Sequence, residues 1–320
     1  MGDQEPFSAL PPQGPPPLLS GSQLLDLARQ GWLEIALPDS LAAAIPCLFR
    51  DSDSFFANPT SVKKKSFPQK QKTEFGYYEV ENEKEYVTFR CRTATSSGPE
   101  ADVQVHESIA RASAENLKSA TANIWSEGGR MLHRILCDIA RASELDIGVW
   151  DSILEDTLEM PSSEQEMSYT LMRVFHYLPA MGKADMHSDL GLLTLCIGDR
   201  RGLQVCDVVN SSENDLKWID ASEGTKTAIV LVGQTLKMLS DGALNAGVHR
   251  VAGNPEGRRS IVYALRHSSK NVIDLGRFGR EGRIRPDELY KVMGVGRVNI
   301  NAVRDTRDKQ REALGYKGQG

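Results

Sequence analysis

From about residue 163 onward, apolar and polar positions alternate in short runs, whereas before that point they recur at helical spacing. The alternating runs cover 168–177, 192–197, 203–205, 217–219, 228–232, 235–239, 247–251 and 260–265. Turn-forming residues separate them, and eight short strands so spaced predict a closed or double-sheet β architecture. In the first half, Ser22 reads as the N-cap of a short helix over 23–29 that Gly31 closes. A strand over 32–37 follows, and Pro38-Asp39-Ser40 opens a second helix running to about Phe56. Aromatic and β-branched residues in 75–78 and 86–90 fit short strands or an ordered loop, and 93–100 reads as a loop. Ile109, Leu117, Ile124, Leu132, Ile135 and Ile139 predict a helix over 107–142, which Gly128-Gly129 would break or bend. A further helix is expected over 149–158, a short one from Pro286-Asp287, and a charged, exposed helix or tail over 301–317.

The layout is therefore α+β: a helical part over 21–160, a β core over 163–270 and a helical segment over 271–320, forming one domain over 21–320. Residues 1–20 hold six prolines and are expected to be a disordered tail. Composition changes this picture little. With 40% hydrophobic and 25% charged residues in 320, the chain is ordinary for a globular protein. A net charge of −5 gives no electrostatic reason to expect nucleic acid or an anionic membrane as partner. No apolar run reaches the roughly 18–20 residues of a membrane span, and the start of the chain lacks the pattern of a signal peptide. Five scattered cysteines without any CxxC suggest reduced thiols and a cytoplasmic location. Lys63-Lys64-Lys65, Lys70 and Lys72 read as a solvated loop, or alternatively as a patch for an anionic substrate.

The chemistry concentrates at His187-Ser188-Asp189, at the start of an apolar run. On an extended strand, residues i and i+2 share a face, so His187 and Asp189 can grip one object. Such a pair is commonly only a hydrogen-bonded feature, but His249 lies on a later strand of the same core and can complete a three-ligand site. Two histidines and one carboxylate with open positions suit non-haem Fe(II), although zinc could use the same set for hydrolysis. Arg258 and Ser260 share a face on the next strand, and a guanidinium beside a hydroxyl can clamp a carboxylate unless both simply face solvent. An iron site beside a carboxylate clamp is what a 2-oxo acid co-substrate requires.

The run His187-Ser188-Asp189-Leu190-Gly191-Leu192-Leu193-Thr194-Leu195 is followed by Asp199, Gly202-Leu203-Gln204-Val205, Trp218, Gly233, Ser240, Gly242, His249-Arg250-Val251 and Arg258-x-Ser260. In this order the residues resemble the 2-oxoglutarate and Fe(II)-dependent dioxygenases of the isopenicillin N synthase-like superfamily. The resemblance covers roughly 21–267, including Gly31-Trp32-Leu33-Glu34-Ile35 and Phe55-Phe56-Ala57 upstream. It implies a double-stranded β-helix (a distorted jelly-roll), with Fe(II) held by His187, Asp189 and His249. It also implies 2-oxoglutarate bound through Arg258, Ser260 and Tyr177, and O2 as oxidant. The implied activity is hydroxylation, desaturation or ring formation on a small organic molecule, in specialised metabolism, with release of succinate and CO2. The family's Asn two before the tyrosine and Pro just after it are Phe175 and Leu178 here, which weakens one co-substrate contact and leaves the triad standing. Substrate-lining candidates are Tyr77, Tyr78, Phe89, Arg90, Phe175 and Trp218. Other readings are a 2-oxoglutarate-independent oxidase of isopenicillin N synthase type, and a non-catalytic small-molecule-binding or scaffold protein on the same fold.

Overall fold

The computed structural model describes residues 14–70, 73–92, 105–179, 181–212, 215–222, 224–294 and 304–313. Helix α1 (Gly21–Gln30) is capped by Ser20 rather than Ser22. The Ser20 hydroxyl accepts from the Gln23 backbone N–H, and the Gln23 side chain accepts from the Ser20 N–H. This reciprocal pair satisfies donors that a helix start otherwise leaves open. Gly31 ends the helix at φ 75°, and strand β1 (Trp32–Ala36) follows. Helix α2 (Asp39–Phe56) buries Leu41, Ile45, Leu48, Phe49 and Phe55 along one stripe.

The lysine run is not a solvated loop. Lys63-Lys64-Lys65 lie in helix α3 (Thr60–Ser66), Lys70 follows it and Lys72 lies outside the described residues; Lys63 turns inward, its Nζ 2.5 Å from Glu85 Oε2 and 3.1 Å from the Phe56 carbonyl. A buried ammonium is tolerated because those acceptors take its protons. Strands β2 (Gly76–Val80) and β3 (Lys84–Phe89) form a hairpin, and helix α4 (Val105–Ala142) runs on through Gly128-Gly129. The two glycines serve close packing. A Cβ on Gly129 would lie 2.7 Å from the Leu158 carbonyl oxygen, and one on Gly128 would lie 3.2 Å from the Tyr263 ring. Their helix penalty, about 1 kcal/mol each, is small beside the burial of Leu117, Ile124, Trp125, Leu132, Ile135 and Leu136. Helix α5 (Val149–Ile153) stops five residues short of the expected 158. Residues 14–20 are tied to α4: Leu18 and Leu19 donate their N–H groups to Asp138 Oδ2, and Leu19 is buried. The expected loop at 93–100 and residues 1–13 of the expected tail lie outside the described residues.

The β core comprises β4 (Leu171–Tyr177), β5 (Ala184–His187), β6 (Leu193–Gly198), β7 (Leu203–Cys206), β8 (Trp218–Asp220) and β9 (Gly224–Val232), followed after helix α6 (Gln234–Leu239) by β10 (His249–Val251) and β11 (Arg258–Leu265). The strand expected at 235–239 is α6. Thr235 and Leu239 are buried one helical turn apart, and Thr235 Oγ1 bonds the Leu190 carbonyl at 2.6 Å, which draws the chain onto the 190–192 turn. The strands pair antiparallel into a seven-stranded sheet, β1-β9-β6-β11-β4-β3-β2, and a four-stranded sheet, β5-β10-β7-β8. One face of the large sheet (Val87, Phe89, Met172, Val174, Leu195, Tyr263) joins the helices in the main core. The opposite face (Tyr86, Phe175, Tyr177, Cys196, Ile229) packs with Val205 and Val251 of the small sheet. Two facing sheets with helices outside the larger one make the expected α+β double-stranded β-helix.

Strands β12 (Ile273–Asp274) and β13 (Arg283–Ile284) pair, followed by helices α7 (Pro286–Gly294) and α8 (Arg304–Ala313). Helix α8 is not wholly exposed: Arg307 is buried, with Nη2 2.9 Å from Glu83 Oε1 and Nε 3.3 Å from Asp185 Oδ2. Among the described residues no helix is long and apolar enough to cross a membrane.

Candidate metal and anion site

Side chains alternate along β4, so Arg173, Phe175 and Tyr177 share the face turned toward the small sheet. Antiparallel register sets Tyr177 opposite Arg258, Phe175 opposite Ser260 and Arg173 opposite Val262 on β11. One strand further, Gly198 and Cys196 of β6 stand opposite Ser260 and Val262. On the small sheet, His249 of β10 pairs directly with His187 of β5. These rows line one cavity of about 50 Å³ that reaches His187, Asp189 and His249 as well as Arg258 and Ser260.

His187 is the last residue of β5, and Asp189 lies beyond the strand, so the pair does not meet by sharing a strand face. The chain turns after His187. That turn is held by the Gln234 N–H on the Asp189 carbonyl at 2.8 Å and by Gln234 Nε2 on Ser188 Oγ at 2.7 Å. One ligand atom each from His187, Asp189 and His249 lie within 4.8 Å of one another. The imidazole centroids are 4.1 Å apart, and His187 Nε2 is 3.7 Å from Asp189 Oδ1. Nδ1 of His187 faces the Asp185 carbonyl at 2.7 Å and Nδ1 of His249 faces the Gly247 carbonyl at 3.1 Å. With Nδ1–H so engaged, each ring keeps its Nε2 lone pair for another partner. Burial, then the neighbouring His249, holds the His187 ring neutral. Burial pushes the Asp189 carboxyl up, but positive charge on His249 or His187 pulls it down, and the net direction is below the usual carboxylate range. Asp189 Oδ2 is buried without a hydrogen-bond partner. Two imidazoles with Nε2 atoms open and an unsatisfied carboxylate oxygen fit a divalent transition metal.

Arg258, 4% exposed, donates from Nε to the Arg200 carbonyl at 3.0 Å, and its Nη1 is buried without a partner. Space for the guanidinium exists because residue 198 is glycine; a Cβ there would lie 2.1 Å from Arg258 Nη2. Ser260 Oγ donates to the Ile197 carbonyl at 3.1 Å and can rotate toward the cavity. The Tyr177 phenol, 5.8 Å beneath the guanidinium, is pushed up to about 12 by burial and stays a donor. An unpaired buried guanidinium flanked by two hydroxyls fits a carboxylate.

Of the other residues expected to line a substrate pocket, Phe175 is on the cavity wall. Tyr78 stacks on Tyr86 at 5.3 Å, and Tyr86 packs on Phe175 at 5.0 Å. Arg90 lies behind them, donating to the Thr73 and Ser168 carbonyls. Tyr77, Phe89 and Trp218 are not brought to the cavity. Tyr77 bonds Glu85 Oε2 at 2.6 Å and Phe89 packs on Phe67, both on the helix-facing side of the sheet. Trp218 lies against the Arg250 guanidinium at 4.1 Å. The sequence reading missed Arg173, Cys196, Gly198 and Arg266. Arg173 was within reach, since it precedes Phe175 and Tyr177 by the strand period of two.

A jelly-roll thus carries a His/Asp/His cluster and a buried arginine in one cavity, an arrangement that could hold a divalent metal beside an anionic ligand. Residues 169–267 match the model of the 2OG-Fe(II) oxygenase superfamily. The 2-oxoglutarate-dependent dioxygenase ecdG of Aspergillus rugulosus is 31% identical over 119 residues, covering 35% of this chain and 34% of its own. The 2-oxoglutarate-dependent dioxygenase iboH of Amanita muscaria is 32% identical over 122 residues, 35% of this chain and 58% of its own. The matched stretch thus spans about a third to somewhat over half of these relatives. A full-length Neurospora crassa protein solved in complex with alpha-KG superposes with a TM-score of 0.65 at 20% identity, over 86% of this chain and 90% of that one, so the fold is shared.

Proposed function

We propose that this chain is an Fe(II)- and 2-oxoglutarate-dependent oxygenase that oxidises a small organic molecule of specialised metabolism, using O2 and releasing succinate and CO2. The observation that carries this reading is one cavity joining two unsatisfied groups, Asp189 Oδ2 in the His187/Asp189/His249 cluster and Arg258 Nη1. In this reading the three cluster residues hold iron through two Nε2 atoms and a carboxylate oxygen. Arg258, Ser260 and Tyr177 bind the far carboxylate of 2-oxoglutarate. Bound iron supplies the activation of O2 that is coupled to decarboxylation of the co-substrate. The protein's part is to orient both ligands and to exclude bulk water with the apolar walls Phe175, Val251 and Val262. A metal-only hydrolase would leave Arg258 without a partner. Residues 21–320 act as one domain in this reading, and the free cysteines suit a reducing cytoplasm.

The test is anaerobic addition of Fe(II) and 2-oxoglutarate to the purified protein. A weak visible charge-transfer band should form, and His187→Ala should abolish it. Absence of the band in the wild-type protein, together with no succinate formed in air, would sink the reading.

A further inference from the structure

Three guanidinium groups, Arg173, Arg266 and Arg90, act together on one carboxylate, Glu74, and two of them, Arg173 and Arg266, also interact with Asp189 of the cluster. Arg173 lines the cavity, bonded to Glu74 Oε2 at 2.9 Å and to Thr88 Oγ1 at 3.2 Å. Arg266 follows β11, is 7% exposed, and donates to Tyr290 Oη at 3.3 Å, while its Nε is buried without a partner. Arg90 also has a buried Nε without a partner. Burial pushes the Glu74 carboxyl up, but Arg173, Arg266 and Arg90 together hold it low, so one carboxylate answers three guanidiniums. Asp189, the other acid that interacts with both Arg173 and Arg266, is committed to the metal cluster.

A charge count separates two sets of groups. Fe(II), Asp189, Arg258 and a 2-oxoglutarate dianion sum to zero, so the co-substrate site is balanced when loaded. Elsewhere Arg173 on the cavity wall, with Arg90 and Arg266 outside the lining, acts on Glu74, three guanidiniums against one carboxylate and an excess of two positive charges in a poorly solvated place. Leaving such charges unmatched is costly, and a ligand carboxylate would answer them with bidentate hydrogen bonds. Aromatic rings lie nearby: Phe175 on the cavity wall backed by Tyr86, which stacks on Tyr78, and Tyr290, the hydrogen-bond partner of Arg266, stacked on Tyr169 at 4.5 Å and 9°.

Resting on the oxygenase reading above, we infer that the substrate is a carboxylic acid with a flat or apolar body, its carboxylate taken by Arg173 and Arg266. Arg173 is on the strand that also bears Tyr177, and Arg266 directly follows the strand that bears Arg258 and Ser260. The two carboxylate sites are therefore set by the same pair of neighbouring strands.

The experiment uses the anaerobic protein loaded with Fe(II) and 2-oxoglutarate. Ligand-observed NMR compares 3-phenylpropanoate, indole-3-carboxylate and nonanoate with their methyl esters, and with phenyl phosphate. At least one acid should bind tenfold or more tightly than its ester. That preference should vanish in Arg266→Gln and in Arg173→Gln, and survive in part in Arg173→Lys. Thermal unfolding and the charge-transfer band show that each variant is folded and loaded. Acids and esters binding alike, or a preference untouched in both glutamine variants, would overturn the inference, and so would tighter binding of phenyl phosphate than of any acid. If the band itself never forms, the oxygenase reading fails instead, and the same acid-to-ester comparison on the metal-free protein still decides the substrate class.

Discussion

At the scale of single residues, side chains that could hold a ligand stand beside a glycine that makes room for one of them. Arg258→Gln removes the charge and the forked donors. Losing charge-assisted hydrogen bonds worth about 2 kcal/mol should raise the 2-oxoglutarate KM by roughly 30-fold while Fe(II) uptake stays near that of the wild type, as steady-state kinetics and metal analysis would show. Gly198→Ala should reproduce much of that KM effect without touching a charged group, because the new methyl occupies the position of the Arg258 guanidinium. An unchanged KM in Gly198→Ala would show that the guanidinium has another seat. His187, Asp189, His249, Arg258 and Ser260 could be picked out of the sequence because their chemistry is rare in an apolar run. Gly198 could not, since its importance lies in an absence of atoms opposite a residue sixty positions away. Tyr77 and Phe89 were misplaced because aromatic residues on the two faces of a hairpin look alike until the covered side is known.

At the scale of elements, helix α3 shows how a charge run can serve packing. Lys63, Tyr77 and His176 all converge on Glu85, at 2.5, 2.6 and 3.0 Å, and so tie α3 to β2, β3 and β4. Removing one partner of a buried ion pair costs roughly 3–5 kcal/mol. Lys63→Met should therefore destabilise the fold by about 3 kcal/mol, seen as a lower midpoint in denaturant unfolding, whereas Lys64→Met should be near neutral. Equal effects would mean that the run is only a solvated face. The lysine cluster gave no hint of this in sequence, because the partner carboxylate is two elements away. The 235–239 stretch misled for a related reason: five residues alternate well enough for a strand, and only the bond from Thr235 to the preceding turn selects the helix.

At the scale of the whole molecule, the two-sheet architecture was legible because its alternation persists over a hundred residues. The way the C-terminal segment closes on it was not. Lys84 reports on that closure. It is fully buried, with its ammonium 5.9 and 5.7 Å from the Phe175 and Tyr177 rings and 3.3 Å from the Lys183 carbonyl. Burial, aided by Arg307 and Arg173 and opposed by Glu83 and Asp185, lowers its pKa to about 8. The unfolded chain therefore holds this proton between pH 8 and about 10.5, where the folded chain has released it. The lysine's contribution to stability rises with pH across that window and is at its least favourable at pH 7. Lys84→Met should be more stable than the wild type at pH 7, with the advantage shrinking by about 2 kcal/mol between pH 8 and 9.5. A gap that stays constant with pH would exclude this account.

Arg307 joins Glu83 in the β2–β3 turn to Asp185 in β5, and the Asp185 carbonyl orients the His187 ring. A helix translated after both sheets thus braces a ligand of the metal cluster. A polypeptide released early from the ribosome, ending before Arg307, would lose the guanidinium that joins Glu83 to Asp185. Such a product should take up Fe(II) more weakly than the full chain, with Arg307→Met showing the same defect in a metal-binding titration. Translation through α8 would then double as a licence for metallation, protecting the cell from a half-finished oxygenase that carries redox-active iron.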